Sequence, residues 1–96
     1  MTATSAIAAI LQTEDIEGLI ELGAPADEYS DEAARIGSRL NALAGEINED
    51  QVLGIISTVW EQSFGLSSHD IKQRTPALRR VAGEIVGSRL QSARRP

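Results

Sequence analysis

Hydrophobic residues recur along this chain with the three- and four-residue spacing of amphipathic helices. The first stripe predicts a helix over residues 4–13 and consists of Ile7, Ile10 and Leu11. Apolar character continues to residue 22, but Gly18 and Gly23 interrupt it. We therefore expect a helical turn there, followed by a loop through residues 23–25.

The second stripe is the most regular one in the sequence and predicts a helix that begins at Ser30 and stops near Gly45 or Asn48. Its apolar members are spaced three and four residues apart: Ala33, Ile36, Leu40, Leu43 and Ile47. We expect the Ser30 side chain to cap the free N–H groups of the first turn. The carboxylates of Asp31 and Glu32 then lie at the positive end of the helix macrodipole.

A third helix is predicted from Asn48, which suits its N-cap, to Gly65, which suits a left-handed stop. Glu49 and Asp50 fall in its first turn, where negative charge is favourable. The predicted buried face is wide and comprises Val52, Ile55, Ile56, Val59, Trp60, Ser63 and Phe64.

The last helix has two candidate starts. Ser67 and Asp70 have the spacing of a capping box, which we expect to open only a short turn. Thr75 and Pro76 read as a cap followed by proline at the first helical position, so we expect the long helix to begin there. Its apolar members are Leu78, Val81, Ala82, Ile85, Val86 and Leu90. We expect the helix to fray at residues 94–96.

No stretch alternates apolar and polar residues in the way that predicts a strand. The predicted fold is therefore all-α, a small four- to five-helix bundle that forms a single domain over residues 1–96, with residues 93–96 as a frayed tail. One short motif occurs twice, because Gly37-Ser38 and Gly87-Ser88 occupy similar positions in two predicted helices. Glycine weakens a helix, so we expect both pairs at places where another helix approaches closely.

The amino-acid composition excludes most kinds of catalytic and metal site. The 96 residues include no cysteine and one histidine, His69. A thiolate nucleophile is therefore excluded, and a catalytic or metal site built on several imidazoles is not expected. No glycine-rich phosphate loop or EF-hand spacing is present. We expect no enzyme activity, no catalytic residues, no cofactor and no metal.

Charge is the informative property of the chain. The net charge of −5 combines two unequal parts. Residues 1–70 contain 13 acidic and two basic side chains, a balance of −11, whereas residues 71–96 contain one acidic and seven basic side chains, a balance of +6. The simplest interpretation is intramolecular, with a basic last helix against an acidic surface. Two other interpretations assign a separate binding partner to each end of the chain.

In the first, an acidic face binds a basic protein partner. The predicted partner-binding residues place an aromatic anchor among carboxylates, and they are Asp27, Glu28, Tyr29, Asp31 and Glu32. Immunity proteins that inhibit cationic nuclease toxins are similar in size, helicity and charge. The alternative is a solvated loop whose tyrosine packs on the rim of the core.

In the second, the basic C-terminal segment binds nucleic acid through Arg74, Arg79 and Arg80. The acidic remainder of the chain argues against it, so nucleic acid is the less favoured partner. A homodimer formed through opposite charges is a further alternative. No apolar stretch reaches membrane-spanning length, and the opening stretch lacks the basic residues of an export signal, so we expect a cytoplasmic protein.

Two stretches resemble a family of small helical bacterial proteins known as a domain of unknown function: Asp15-Ile16-Glu17-Gly18-Leu19 and Gly23-Ala24-Pro25-Ala26-Asp27-Glu28-Tyr29-Ser30-Asp31-Glu32. Trp60 and Phe64-Gly65 match the aromatic helix end of that family. Glu17 and Ser30 depart from its pattern, which favours proline or a small residue at the first position and aspartate at the second. The resemblance covers about residues 5–65 and implies a helical fold in a bacterial cytoplasm, but no activity.

Overall fold

The computed structural model describes residues 4–25, 27–43 and 47–94, with side chains as far as Ser88. Four α-helices follow one another along the chain: Thr4–Glu14 (α1), Ser30–Asn41 (α2), Glu49–Phe64 (α3) and Ser68–Arg94 (α4). Within these ranges no residue forms a strand, which confirms the predicted all-α fold. None of the described helices combines the length and apolar character needed to cross a membrane.

The helices close into a ring, because each packs on its neighbours in the chain and α1 also packs on α4. All four helices contribute fully buried side chains to one core. These are Ile7, Leu11, Ala33, Ile36, Leu40, Val52, Ile56, Val59, Trp60, Leu78, Val81, Ala82 and Ile85, and Tyr29 joins them from the segment before α2. The periodic positions that predicted the helices are therefore largely the positions that the fold buries.

Three local signals act as the sequence predicts. Asn48 and Gln51 form a reciprocal capping box at the start of α3, with N···O distances of 2.8 and 2.9 Å. Gly65 ends α3 in the left-handed region at φ 61°. Ser67 and Asp70 cap α4 through two bonds of 3.1 Å. Short-range hydrogen bonding fixes these three boundaries.

The predicted start of α2 at Ser30 is confirmed, but the predicted cap and the predicted end of this helix are wrong. Ser30 is the first helical residue rather than the cap, and Tyr29 occupies the cap position without a side-chain capping bond. The helix ends at Asn41, so Leu43 and Ile47 lie outside it, although both pack against the core. Gly45, the predicted stop, lies outside the described residues. Packing, rather than helical periodicity, accounts for the last two apolar positions.

The predicted helix start at Thr75-Pro76 is also wrong, because α4 runs through both residues without a break. Pro76 lacks an N–H group, so one helical hydrogen bond is lost there. The Thr75 hydroxyl donates to the Ile71 carbonyl at 2.8 Å, which satisfies a carbonyl close to that gap. A capped start before the proline and a buried apolar stripe after it hold the helix together.

The two glycine–serine pairs have different surroundings. A Cβ on Gly37 would lie 3.0 Å from the Thr4 hydroxyl oxygen and 3.5 Å from Ile7 Cδ1, so α1 approaches α2 closely there, as predicted. A Cβ on Gly87 would meet no atom of the described residues within 4 Å. The expectation of close helix contact is wrong for Gly87, which borders open space between α1 and α4 instead.

Candidate functional site

The segment between α1 and α2 is attached to the bundle by the only three aromatic side chains of the chain. The Tyr29 and Trp60 rings stack with centroids 5.7 Å apart, and Phe64 packs at an angle to both, 5.1 Å from Trp60 and 6.5 Å from Tyr29. Aromatic pairs of this geometry stabilise beyond their buried area. Residues on either side of Tyr29 are therefore held at a defined place against α3.

Asp15 organises the start of this segment. Its backbone has φ 43°, a left-handed conformation that aspartate tolerates better than most residues. One carboxylate oxygen accepts bonds from the Tyr29 hydroxyl at 2.7 Å and the Ile20 amide at 3.1 Å, and the other accepts from the Glu21 amide at 3.0 Å. The bond from the Tyr29 hydroxyl is the main cause that lowers the pKa of Asp15.

Glu17 connects the same segment to α3 and α4. Its carboxylate accepts the Trp60 indole N–H at 2.9 Å and receives Arg74 at both oxygens, at 2.6 and 3.0 Å. Burial favours the neutral acid, but the bonds from Arg74 and Trp60 outweigh it and lower the pKa of Glu17. The same ion pair raises the pKa of Arg74. Glu17 therefore serves as an internal acceptor, not as a surface charge.

Tyr29 does not have the role that the sequence predicts for it. Its side chain is 2 % exposed, so it cannot be the aromatic anchor of a partner-binding face. The hydroxyl donates to Asp15 and accepts from the Glu17 amide at 3.2 Å. Burial, together with the bond to Asp15, raises the pKa of Tyr29 to about 12. The structure thus supports the alternative in which this tyrosine packs at the core.

The carboxylates around Tyr29 divide into two kinds. Asp27, Glu28 and Asp31 are exposed, and none of them forms an ion pair with another described residue. We call these three residues the acidic surface. Glu32 is different, since it is only 8 % exposed. Burial raises the pKa of Glu32, and the neighbouring charge of Asp31 adds to the effect.

The three arginines predicted to bind nucleic acid all engage carboxylates of the same chain. Arg74 pairs with Glu17, Arg80 with Glu14 at 3.3 Å, and Arg79 contacts two acids of α3, Glu49 at 3.4 Å and Asp50 at 3.5 Å. The basic helix therefore lies against acidic groups of α1, α3 and the α1–α2 segment. This is the intramolecular interpretation of the charge asymmetry.

Sequence reasoning missed three residues at this end of the molecule. The sequence marks Asp15 and Glu17 only as acidic residues, because the side chains that they bond lie 14 to 57 positions away. Leu22 was read as part of an apolar stretch, yet its side chain is 84 % exposed. The glycines on both sides of it, Gly18 at φ 69° and Gly23 at φ 106°, were the signal for a turn that projects outward.

The described residues contain no group of three side chains of the metal-ligating types close enough to hold an ion. His69 is exposed near the start of α4. Comparisons of the chain with models of protein families, with curated proteins and with solved structures found no match. The resemblance of residues 5–65 to a family of unknown function therefore stays a prediction.

Proposed function

We propose that this domain is a non-enzymatic interaction module that binds a basic protein through the acidic surface of Asp27, Glu28 and Asp31. The observation that supports the proposal is a contrast between acidic groups. Glu14, Glu17, Glu49 and Asp50 pair with arginines of α4, whereas no residue of the acidic surface has an ion pair within the described part of the chain. Unmatched charge attracts a partner of opposite sign and sets its orientation.

The rigidity of the segment that carries the acidic surface also supports binding. Backbone bonds from the Glu28 amide to the Pro25 carbonyl and from the Ser30 amide to the Asp27 carbonyl, both 3.0 Å, fix the turn before α2. Tyr29, between these residues, is buried. A surface that is already ordered loses little conformational entropy when a partner binds.

Leu22 takes the place of Tyr29 as the proposed apolar contact. It is the one large hydrophobic residue strongly exposed among the described residues, and it lies in the same connecting segment as Asp27 and Glu28. Its amide donates to the Gly18 carbonyl at 3.1 Å, which fixes the turn that presents it. An apolar contact beside acidic groups suits a partner whose basic residues surround a hydrophobic one.

The finer proposal is an immunity-type inhibitor whose partner is a cationic toxin. Small size, helicity and an unmatched acidic surface support it. Such a partner binds nucleic acid through its own basic face, and an acidic protein that covers this face blocks it by charge complementarity.

The test uses two variants with the same net charge. Asp27→Lys/Glu28→Lys reverses two charges of the acidic surface, and Glu61→Lys/Gln62→Lys/Gln73→Lys makes the same change of net charge at exposed positions of α3 and α4. Each protein is immobilised to capture partners from an extract, and the captured protein is then titrated at low and high salt. We expect the first variant to lose binding by about tenfold or more and the second to lose far less.

Equal losses in both variants would show that only total charge matters and would contradict the proposal. Unchanged binding by Asp27→Lys/Glu28→Lys would also contradict it. Asp31 and Glu32 are left intact because Asp31 lies in the first turn of α2 and Glu32 is buried, so their reversal would disturb the fold as well.

A further inference from the structure

A shallow groove lies between α1 and α4, and no residue of the acidic surface lines it. It encloses about 520 Å³ and is open to solvent. Small or apolar side chains of both helices form most of its lining, with one carboxylate among them: Ala6, Ala9, Ile10, Glu84, Gly87 and Ser88. The missing side chain at Gly87 contributes to this space, because the described part of the chain places no atom within 4 Å of the position that its Cβ would take.

Acidic charge is concentrated at the Glu84 side of the groove. Glu84 lies one helical turn after Arg80 on α4 and close to Glu14, the last residue of α1. Arg80 pairs with Glu14, with Nε 3.3 Å from Oε1. The proximity of Glu14 is the main cause that raises the pKa of Glu84, with burial as a smaller one, and the charge of Arg80 acts against both.

This arrangement has the two properties of a site for a long cationic side chain. Such a side chain places its methylene stem on apolar surface and its charged head on a carboxylate. Arginine fits better than lysine, because its planar guanidinium donates to two oxygens at once.

We propose that the groove receives an arginine side chain of the basic partner, with its stem against Ala9, Ile10 and Gly87 and its guanidinium on Glu84. The inference rests on the proposed function, since it assumes a basic protein as the ligand. It adds a second contact on another face of the domain.

The experiment titrates the intact protein with a short helical peptide of alanine and leucine that carries one arginine, and follows amide signals by NMR. Matched peptides carry lysine or glutamine in place of the arginine. We expect shifts at Ala6, Ala9, Gly87 and Ser88, with affinity falling from arginine to lysine to glutamine. Equal affinity for the glutamine peptide, or shifts confined to residues outside the groove, would overturn the inference.

Two variants test the two halves of the site. Glu84→Gln removes the charge and Gly87→Leu fills the space, and each is expected to weaken the arginine peptide by roughly tenfold. Gly54→Leu, at an exposed helical glycine of α3 outside the groove, and Glu61→Gln are the matched controls and should bind as the unchanged protein does. Thermal unfolding by circular dichroism checks that all four variants are folded. Full binding by Gly87→Leu would overturn the placement of the side chain.

Binding should also depend on pH. The groups at this point are Glu14 of α1 with Arg80 and Glu84 of α4, and a bound guanidinium favours the charged form of Glu84. Affinity is therefore expected to rise as pH increases from about 4 to about 7, and Glu84→Gln should remove most of this rise. An affinity that does not change with pH in the unchanged protein would contradict a role for Glu84.

Capture of the partner by these variants distinguishes a failure of the groove from a failure of the proposed function. In capture of the partner, loss with Asp27→Lys/Glu28→Lys together with full binding by Glu84→Gln and Gly87→Leu supports the proposed function and overturns the groove. The reverse pattern overturns the acidic surface as the binding site and keeps the groove.

Discussion

Glu17 and Asp27 belong to the same connecting segment, but their surroundings are opposite. Glu17 lies against α3 and α4 with its side chain 11 % exposed and two strong donors on its carboxylate. Asp27 is exposed, with no ion pair to another described residue. The comparison teaches that acidic residues of one sequence cluster serve two purposes here. Those with internal donors hold the segment in place, and those without them are the ones that we propose bind a partner.

The largest expected effect comes from removing the internal acceptor. Glu17→Ala leaves the Trp60 indole N–H and the Arg74 guanidinium without their carboxylate in a half-buried place. We expect the free energy of unfolding to fall by about 2–3 kcal/mol. Urea unfolding followed by Trp60 fluorescence measures it. Glu21→Ala, an exposed acid of the same segment, should change it by less than about 0.5 kcal/mol, and equal losses would contradict the distinction.

A smaller loss is expected when the link between Tyr29 and Asp15 is cut. Tyr29→Phe keeps the ring stacked on Trp60 but removes the hydroxyl that donates to Asp15 and accepts from the Glu17 amide. We expect a cost of about 1–2 kcal/mol in the same unfolding measurement. Thr58→Val, which removes an exposed hydroxyl on α3, serves as control. A Tyr29→Phe variant as stable as the parent would show that the bond to Asp15 contributes nothing.

Two glycine substitutions extend the comparison to the two sides of α1. Gly87→Ala places a methyl group in open space and should raise the free energy of unfolding by about 0.5–1 kcal/mol, because alanine favours the helix. Gly37→Ala gains the same helix preference but places its methyl group 3.0 Å from the Thr4 hydroxyl oxygen. We expect less stabilisation there, or a loss. Equal gains at both positions would contradict the close contact of α1 with α2.

The smallest expected effect is a change in the pH dependence of stability. Folding lowers the pKa of Asp15 and Glu17, so their contribution is present above the ordinary values of 3.8 and 4.5 and is lost as the pH falls through the folded pKa. Glu32 and Glu84 have raised pKa values and act in the opposite direction. Glu17→Gln should therefore flatten the loss of stability measured between about pH 5 and about pH 3. An unchanged slope would mean that Glu17 is not held in its charged form by Arg74.

Local signals in the sequence predicted much of the fold. The N-cap at Asn48, the capping box at Ser67 and the left-handed stop at Gly65 depend on neighbours three or four residues away, and all three are confirmed. The Thr75-Pro76 start depended on local preference as well, and it failed because the buried stripe beyond it keeps α4 continuous. Tertiary packing overrides a local helix signal in this way when the apolar face continues on both sides.

The candidate site could be predicted only in part, because its division into internal and exposed acids depends on long-range contacts. Glu17 meets Trp60 across 43 positions and Arg74 across 57, and no spacing rule connects such residues. The sequence does show the charge asymmetry of the chain, and it allows the interpretation that the basic last helix packs against acidic groups of the same chain. The sequence does not predict which acidic residues pair with arginines of α4. It also does not predict that Tyr29 is buried, because both depend on the three-dimensional arrangement of the helices.

The most direct test of the central claim measures stability and partner affinity on the same protein, Asp27→Lys/Glu28→Lys. We predict that its free energy of unfolding stays within about 0.5 kcal/mol of the parent, since both side chains are exposed, while affinity for the captured basic partner falls by about tenfold or more. A loss of stability comparable to that of Glu17→Ala, or an affinity equal to that of the parent, would contradict the assignment of these acids to partner binding.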